Sequence, residues 1–374
     1  MFACVQTIDK FTWRAVMGVS EPVKKVGIVT IVGRSNYGNR LQNYALVKVW
    51  QEFGYIAETI KLPNRRTPQR VAKDLVLKLL GKPTSDPESS SNQNRLANFD
   101  KFDLLVNLKN VSTLEEIHPD EFSYFSVGSD QVWNPGVFSG REELFFLKFA
   151  EPNQKIALAP SMACESLSSE QAKSLLDGLS GFSHLSVREQ RGAELIKQHT
   201  GLDARVICDP TLVLSADEWR LVASGQLTPK KPYVFTYLLG GMSSEAAEVL
   251  NNVTEYGRLT VVALSDRQNP DEIDAGPSEF IDLIDNAVHV VTDSFHAAVF
   301  SSILESPLTI VHRPGGASMF SRLEQLSQML DISEKVYGSP SYDISLAGNY
   351  EGVPERINRA REKFLEYLRG CLNG

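Results

Sequence analysis

Val26-Gly27-Ile28-Val29-Thr30-Ile31-Val32, running into Gly33-Arg34-Ser35-Asn36-Tyr37-Gly38-Asn39, is the stretch whose reading decides the fold. The first seven residues are mostly β-branched and apolar throughout, the pattern of a strand buried on both faces. The next seven are polar and turn-forming. Leu41, Tyr44, Ala45, Val47, Lys48 and Phe53 then recur at helical spacing up to Gly54, a residue suited to the position just past a helix end. Ala57 to Ile60 returns to a strand. A strand, a helix and a second strand in this order form a β-α-β unit.

Similar units recur along the chain. Strand-like runs fall at 124–127, 156–159, 184–187, 204–208, 233–237, 259–264, 288–291 and 308–311, and helical patterns at 169–180, 190–199, 243–256, 278–286, 294–305 and 318–331. Strands alternating with helices of this length predict a parallel, doubly wound α/β architecture. The strands are too many for one comfortable sheet, so two Rossmann-like domains are expected. The expected boundaries are an N-terminal extension at 1–25, a first domain at 26–182, a second at 183–345 and a terminal segment at 346–374. In that last segment Ile357, Ala360, Phe364, Tyr367 and Leu368 form one helical stripe that should pack back on the first half. Residues 83–94 (PTSDPESSSNQN) read as a polar loop.

The 374 residues are 42% hydrophobic and 22% charged, an ordinary globular composition. The net charge of −8 argues against a protein that coats nucleic acid, which needs a basic footprint. No apolar run approaches the roughly 18–20 residues of a spanning helix. The four cysteines are isolated from one another, and the first 25 residues lack the layout of a secretory signal. The expected location is therefore the reducing cytoplasm, with residues 1–25 a loose extension or an over-called start. One segment departs from the acidic background: seven cations and one acid between Lys61 and Lys82 give +6, leaving −14 elsewhere. A basic amphipathic helix of this kind can lie on an anionic membrane surface, and a solvated helix face over the core is the commoner reading.

In open α/β sheets ligands bind beyond the carboxyl ends of the strands. Those ends carry Asp130 and Gln131, Arg188, Asp209, then Asp293, Ser294 and His296, and finally His312 and Arg313. Asp293-Ser294-Phe295-His296 opens a helix, where unpaired N–H groups and the positive dipole end hold phosphate or carboxylate. Either Asp293 simply caps that helix and His296 bonds locally, or His296 exchanges a proton near neutrality. Arg188 and Arg313 suit bidentate contacts to a small dianion, although an arginine just after a strand is often only an ion-pair partner. Dinucleotide, Walker, nucleophile-elbow and zinc-protease motifs are absent, and no D-x-D pair occurs.

Five ordered motifs resemble the polysaccharide pyruvyl transferase family between about Lys25 and about Ile332. They are Asn36-Tyr37-Gly38-Asn39-Arg40-Leu41-Gln42, Val127-Gly128-Ser129-Asp130-Gln131-Val132-Trp133-Asn134-Pro135, Ser186-Val187-Arg188-Glu189, Asp209-Pro210-Thr211-Leu212 and Thr292-Asp293-Ser294-Phe295-His296. Ala297 stands where the family usually has Gly, and its methyl is expected to crowd a phosphate at the helix end. The resemblance implies a glycosyltransferase-B-like pair of domains and transfer of the enolpyruvyl unit of phosphoenolpyruvate onto two hydroxyls of one sugar, with release of phosphate. It implies His296 as the acid, and Arg188, Arg313 and Ser294 around the donor. Asp130 and Asp293 are further carboxylates of the catalytic group, and Asn36, Gln131 and Asp209 contact substrate. Neither metal nor organic cofactor is required. The expected acceptor is a glycan or a lipid-linked sugar, in which case the 61–82 cations would meet the inner membrane face. The competing readings are a nucleotide-sugar glycosyltransferase of the same fold and a non-catalytic glycan-binding relative.

Overall fold

The computed structural model describes residues 24–63, 76, 92–255, 257–266, 268–269, 271–314 and 317–373. The opening β-α-β unit forms with shifted bounds: strand β1 (Lys25–Val29) stops three residues short of the expected Val32, helix α1 (Tyr37–Glu52) starts inside the expected turn, and strand β2 (Ile56–Lys61) pairs parallel with β1. Asn36 caps α1, its side chain accepting the Asn39 N–H at 3.3 Å. Helix α2 (Gln93–Asp103) leads to β3 (Leu108–Asn110), and β4 (Tyr124–Val127) and β5 (Lys155–Ala157) complete a parallel five-stranded sheet in the order β3-β2-β1-β4-β5. A second parallel sheet, order β11-β10-β8-β9, holds β8 (Tyr233–Tyr237), β9 (Thr260–Leu264), β10 (His289–Thr292) and β11 (Leu308–Ile310). Between them lie β6 (Ser186–Val187) and β7 (Arg205–Val206). A single bridge from Ile156 to His184 ties this pair to the first sheet, so strand pairing continues past residue 183.

The longer helices match the sequence reading: α3 (Ser169–Leu179), α4 (Gln190–Thr200), α5 (Ser244–Val253), α6 (Pro277–Asp285), α7 (Phe295–Leu304), α8 (Ala317–Leu330) and α9 (Val353–Asn373). On α9 the Tyr367 hydroxyl donates to the Ala157 carbonyl of β5 at 2.9 Å, docking the terminal helix on the first half. Three further readings need correction. The polar loop ends at Asn92, whose side chain accepts the Arg95 N–H and so starts α2 two residues before the expected loop end. The strand read at 156–159 stops at Ala157, because Ala159 takes φ 56° and turns the chain. The run at 204–208 pairs over two residues only. Residues 1–23 and, apart from 61–63 and 76, the basic 61–82 segment lie outside the described residues.

One core is common to the two sheets, and each sheet also packs a cluster of its own. One apolar cluster takes in Val26 and Ile28 of β1, the buried face of α1, and Phe235, Phe280 and Phe300 of the second half. Tyr37 is its joint. The ring stacks on Phe280 at 4.7 Å, meets Tyr237 edge-on at 5.3 Å, and lies under the Arg95 guanidinium at 5.2 Å. The phenol donates across the halves to the Ala275 carbonyl at 3.2 Å, and burial pushes its pKa well up, so it stays a donor. Aromatic pairs of this geometry add about 0.5–1.5 kcal/mol beyond the area they bury.

Two outcomes are expected. Tyr37→Ala should lose about 3–5 kcal/mol, the usual cost of truncating a buried aromatic, in urea unfolding. His289, buried in β10 and bonded to the Thr309 hydroxyl at 2.8 Å, has its pKa pushed down to about 4 by burial and the nearby Lys335 charge. The unfolded histidine binds a proton below about pH 6.5, so stability should fall as pH drops from about 6.5 to about 4. His289→Gln should remove on the order of 2 kcal/mol from the stability difference between pH 7 and 4.5, read from unfolding midpoints at both.

Candidate active site

Asp209 is the hub. It follows β7 and is buried, and each oxygen is engaged: Oδ1 accepts the Thr211 N–H at 3.0 Å and its hydroxyl at 2.7 Å, and Oδ2 accepts the Ser129 hydroxyl at 3.1 Å and Arg188 Nη1 at 2.6 Å. His296 Nε2, on the second half, stands 3.8 Å from Oδ2. Burial by itself would raise this carboxyl, but the His296 ring, the Arg188 guanidinium and the Thr211 hydroxyl together hold it well below the ordinary range. Arg188 is 4% exposed and lies over the Phe295 ring at 4.9 Å. Burial would lower it, and the Asp209, Asp130 and Glu189 carboxylates raise it instead, so its charge is secure. Its Nε and Nη2 have no hydrogen-bond partner and face Glu189 and Asp130 only at 3.8 Å.

The motifs meet here for local reasons. Gly128 takes φ 120°, and any Cβ on it would overlap the Leu158 carbonyl, so only glycine lets the β4 end pass its neighbour and deliver Ser129 and Asp130. Gln42 of α1 donates to the Thr30 hydroxyl at 2.8 Å and accepts the Ser129 N–H at 3.0 Å, locking the first motif to the second. Glu189 accepts the Met162 N–H at 2.6 Å and that of Ala163 at 3.2 Å, fixing the loop after β5. Trp133 and Asn134 are structural: the indole donates to the Phe145 carbonyl, and Asn134 caps a short helix at Pro135–Phe138.

A cavity of about 220 Å3 opens between the halves. Asn36, Asp130 and Gln131 line it from the first, and Asp293, Ser294, His296 and Arg313 from the second. His296 is 8% exposed, and its Nε2 is buried without a hydrogen-bond partner. Gly38 of α1 presses on the imidazole so closely that a Cβ there would overlap the ring. The first residues of α7 offer N–H groups that no preceding turn can satisfy, and the Ser294 side chain makes no capping bond of its own. Asp293 accepts the Leu239 and Gly240 N–H groups at 2.7 Å each and pairs with Arg313 Nε at 3.3 Å. Arg313 returns a bond to the Asp293 carbonyl.

The expected residues are thus brought together except Arg188 and Asp209: Asp209, expected to contact substrate, has both oxygens bonded within the protein and lies outside this cavity. Arg188 does not share the cavity with Arg313; it lines a neighbouring one and reaches His296 through Asp209. Ala297 is wholly buried in the apolar core, so its methyl does not crowd the helix end. Two contributors went unread. Asn39 lines the cavity beside Asn36, and Arg322 of α8, 8% exposed, borders both cavities. Burial and the charge of Arg188 push Arg322 down to about 10. Its sequence signal was an arginine at the margin of the buried stripe Phe320, Leu323, Leu326 and Leu330.

A model of the polysaccharide pyruvyl transferase family matches residues 36–311, from the cap of α1 through β11. The chain belongs to this family. No curated protein matches it. Among solved structures the family member is similar to the S. aureus MnaA–UDP complex (11% identity, TM-score 0.47, covering 94% of this chain and 97% of that one). It is also similar to the UDP-GlcNAc 2-epimerase of Neisseria meningitidis (10% identity, TM-score 0.45, 92% and 100%) and to the Streptomyces sp. SF2575 glycosyltransferase SsfS6 (9% identity, TM-score 0.37, 92% and 96%). Among the described residues no helix is long and apolar enough to cross a membrane.

Gly38→Ala tests the seating of the histidine. Alanine improves helix propensity by up to about 1 kcal/mol, so any loss comes from the displaced ring. Transferase activity should fall about 10²-fold, the scale of an ångström's misplacement, with the circular dichroism spectrum unchanged. Activity within twofold of the parent would contradict the packing of α1 on His296.

Proposed function

We propose that the protein transfers the enolpyruvyl group of phosphoenolpyruvate onto two hydroxyls of a sugar, as a cyclic ketal, with release of phosphate. The observation that carries this reading is the small cavity itself, where the His296 ring, a helix amino end and Arg313 converge. Its 220 Å3 lies below the roughly 300–1,000 Å3 of pockets for drug-sized ligands, which favours a three-carbon phosphorylated acid over a nucleotide sugar.

In this mechanism Arg313 and the N–H groups opening α7 grip phosphate and carboxylate while charge shifts between them. His296 protonates the methylene carbon, and the double-bond electrons form the new C–H bond, leaving an oxocarbenium-like centre at C2. Asp130 accepts the proton of the first sugar hydroxyl as its oxygen bonds to C2. The second hydroxyl oxygen then bonds to C2, the C2–O bond to phosphate breaks, and the departing phosphate carries off the second hydroxyl proton. Asp209, 3.8 Å from Nε2, orients the His296 ring. Asp293, with both oxygens already bonded, positions Arg313 rather than transferring a proton. Asn36, Asn39 and Gln131 supply amides to the acceptor sugar. A lipid-linked sugar remains within this proposal as one form of acceptor.

His296→Ala and Arg313→Ala should each lower phosphate release from phosphoenolpyruvate, in the presence of glycoside acceptors, by roughly 10²-fold or more. Phosphoenolpyruvate should raise the melting temperature by mass action, and UDP or GDP should not do so through this cavity. Full turnover by His296→Ala would end the acid assignment.

A further inference from the structure

A second cavity, of about 640 Å3, lies behind the first and shares only Phe295 and Arg322 with it. The transfer chemistry above gives it no task. It is lined by the β7 end, α8 and α9, and its cations are Arg188, Arg322, Arg356, Arg359 and Lys363, in a chain whose net charge is −8. Three of these are answered within the protein. Asp209 pairs with Arg188 at 2.6 Å, Asp331 pairs with Arg356 at 2.6 Å, and Glu189 and Asp130 act on Arg322. Arg359 and Lys363 are different. They stand one turn apart on the same face of α9, exposed, and pair with no carboxylate among the described residues. Deeper in, Arg188 lines the same cavity with Nε buried and without a hydrogen-bond partner. The same cavity is lined on its apolar side by Val206, Leu212, Leu326 and Met329.

We propose that this cavity is a second ligand site, which takes a dianionic phosphate ester with its phosphate toward Arg359 and Lys363 and its organic part on the apolar wall. Two uncompensated positive charges match the two negative charges of a phosphate monoester or of a diphosphate diester. A volume of 640 Å3 falls in the range of pockets that bury a ligand of sugar or nucleoside size. Guanidinium groups favour phosphate through paired N–H donors, and the wall accounts for a preference for an ester over the free ion. The site goes beyond the pyruvyl-transfer reading and stands apart from it, since none of its argument uses His296 or Arg313.

The test titrates the whole chain calorimetrically with UDP-glucose, glucose 1-phosphate and inorganic phosphate, at 50 and 300 mM salt, with and without phosphoenolpyruvate. The comparison is the double variant Arg359→Glu/Lys363→Glu, whose exposed, unpaired side chains leave the core untouched. At least one ester should bind the parent one to one, more tightly than inorganic phosphate and more weakly at high salt. The variant should bind it at least tenfold more weakly, with its melting temperature and its response to phosphoenolpyruvate unchanged. Equal binding by the variant, or no ester binding at millimolar concentration, would each overturn the proposal. Failure of phosphoenolpyruvate to bind would bear on the proposed function alone. In phosphate-release kinetics, an ester that competes with the glycoside acceptor marks the acceptor as the source of the phosphate, and one that changes the rate without competing marks a separate effector.

Discussion

A buried carboxylate must be compensated, and in this protein the compensation of Asp209 is what gathers the site. Its partners come from three separate loops: Ser129 after β4, Arg188 after β6 and Thr211 after β7. The His296 ring from the other sheet approaches the same oxygen as Arg188. Removing one partner of such a set leaves a charge in a medium that solvates it poorly, at a cost of several kcal/mol. The loops are therefore held at their positions by the same electrostatics that orient the imidazole. Positioning and chemistry share one group.

The shared aromatic core adds rigidity to this arrangement. Interfaces between domains of one chain usually permit relative motion, unless they are large and apolar. The contact around Tyr37, Tyr237 and Phe280 is apolar and belongs to a cluster that includes both sheets. Tyr37 lies between Asn36, which lines the cavity, and Gly38, which seats His296. A residue buried for stability thus fixes one neighbour that lines the cavity and one that seats the imidazole. Dipoles and donors held this way need not reorganise as charge moves, which is the usual source of large rate effects.

The division of labour between the two cavities follows from the wall that separates them. Arg188, Asp209, Phe295 and Arg322 build that wall, and its two sides differ in character. The smaller space is polar, with a helix amino end and a histidine; the larger has an apolar side and two cations on α9 that pair with no carboxylate among the described residues. Arg188 belongs structurally to the larger space while influencing the smaller through Asp209. An arginine expected to grip the donor directly is instead the counter-charge of the carboxylate behind His296.

The alternation of buried strands with helices was legible in the amino-acid order alone, because burial on two faces and on one face leave different periodicities. The helix opening after Asp293 was legible as well, although no side chain caps it, whereas the cap at Asn36 lies inside the stretch read as a turn. The candidate residues were also readable, since strand ends in parallel sheets point to one edge. Their grouping was not. That Arg188 and Arg313 face different spaces, that Asp293 has no free oxygen, and that Ala297 turns into the core are consequences of long-range packing. Arg322 and the cations of α9 were hidden for the same reason: a helical repeat shows which face of a helix is apolar, but only the neighbouring elements decide what borders it. Charge compensation acts between residues far apart in the chain, as 209 and 296 do, and it enters only when the two halves close on one core.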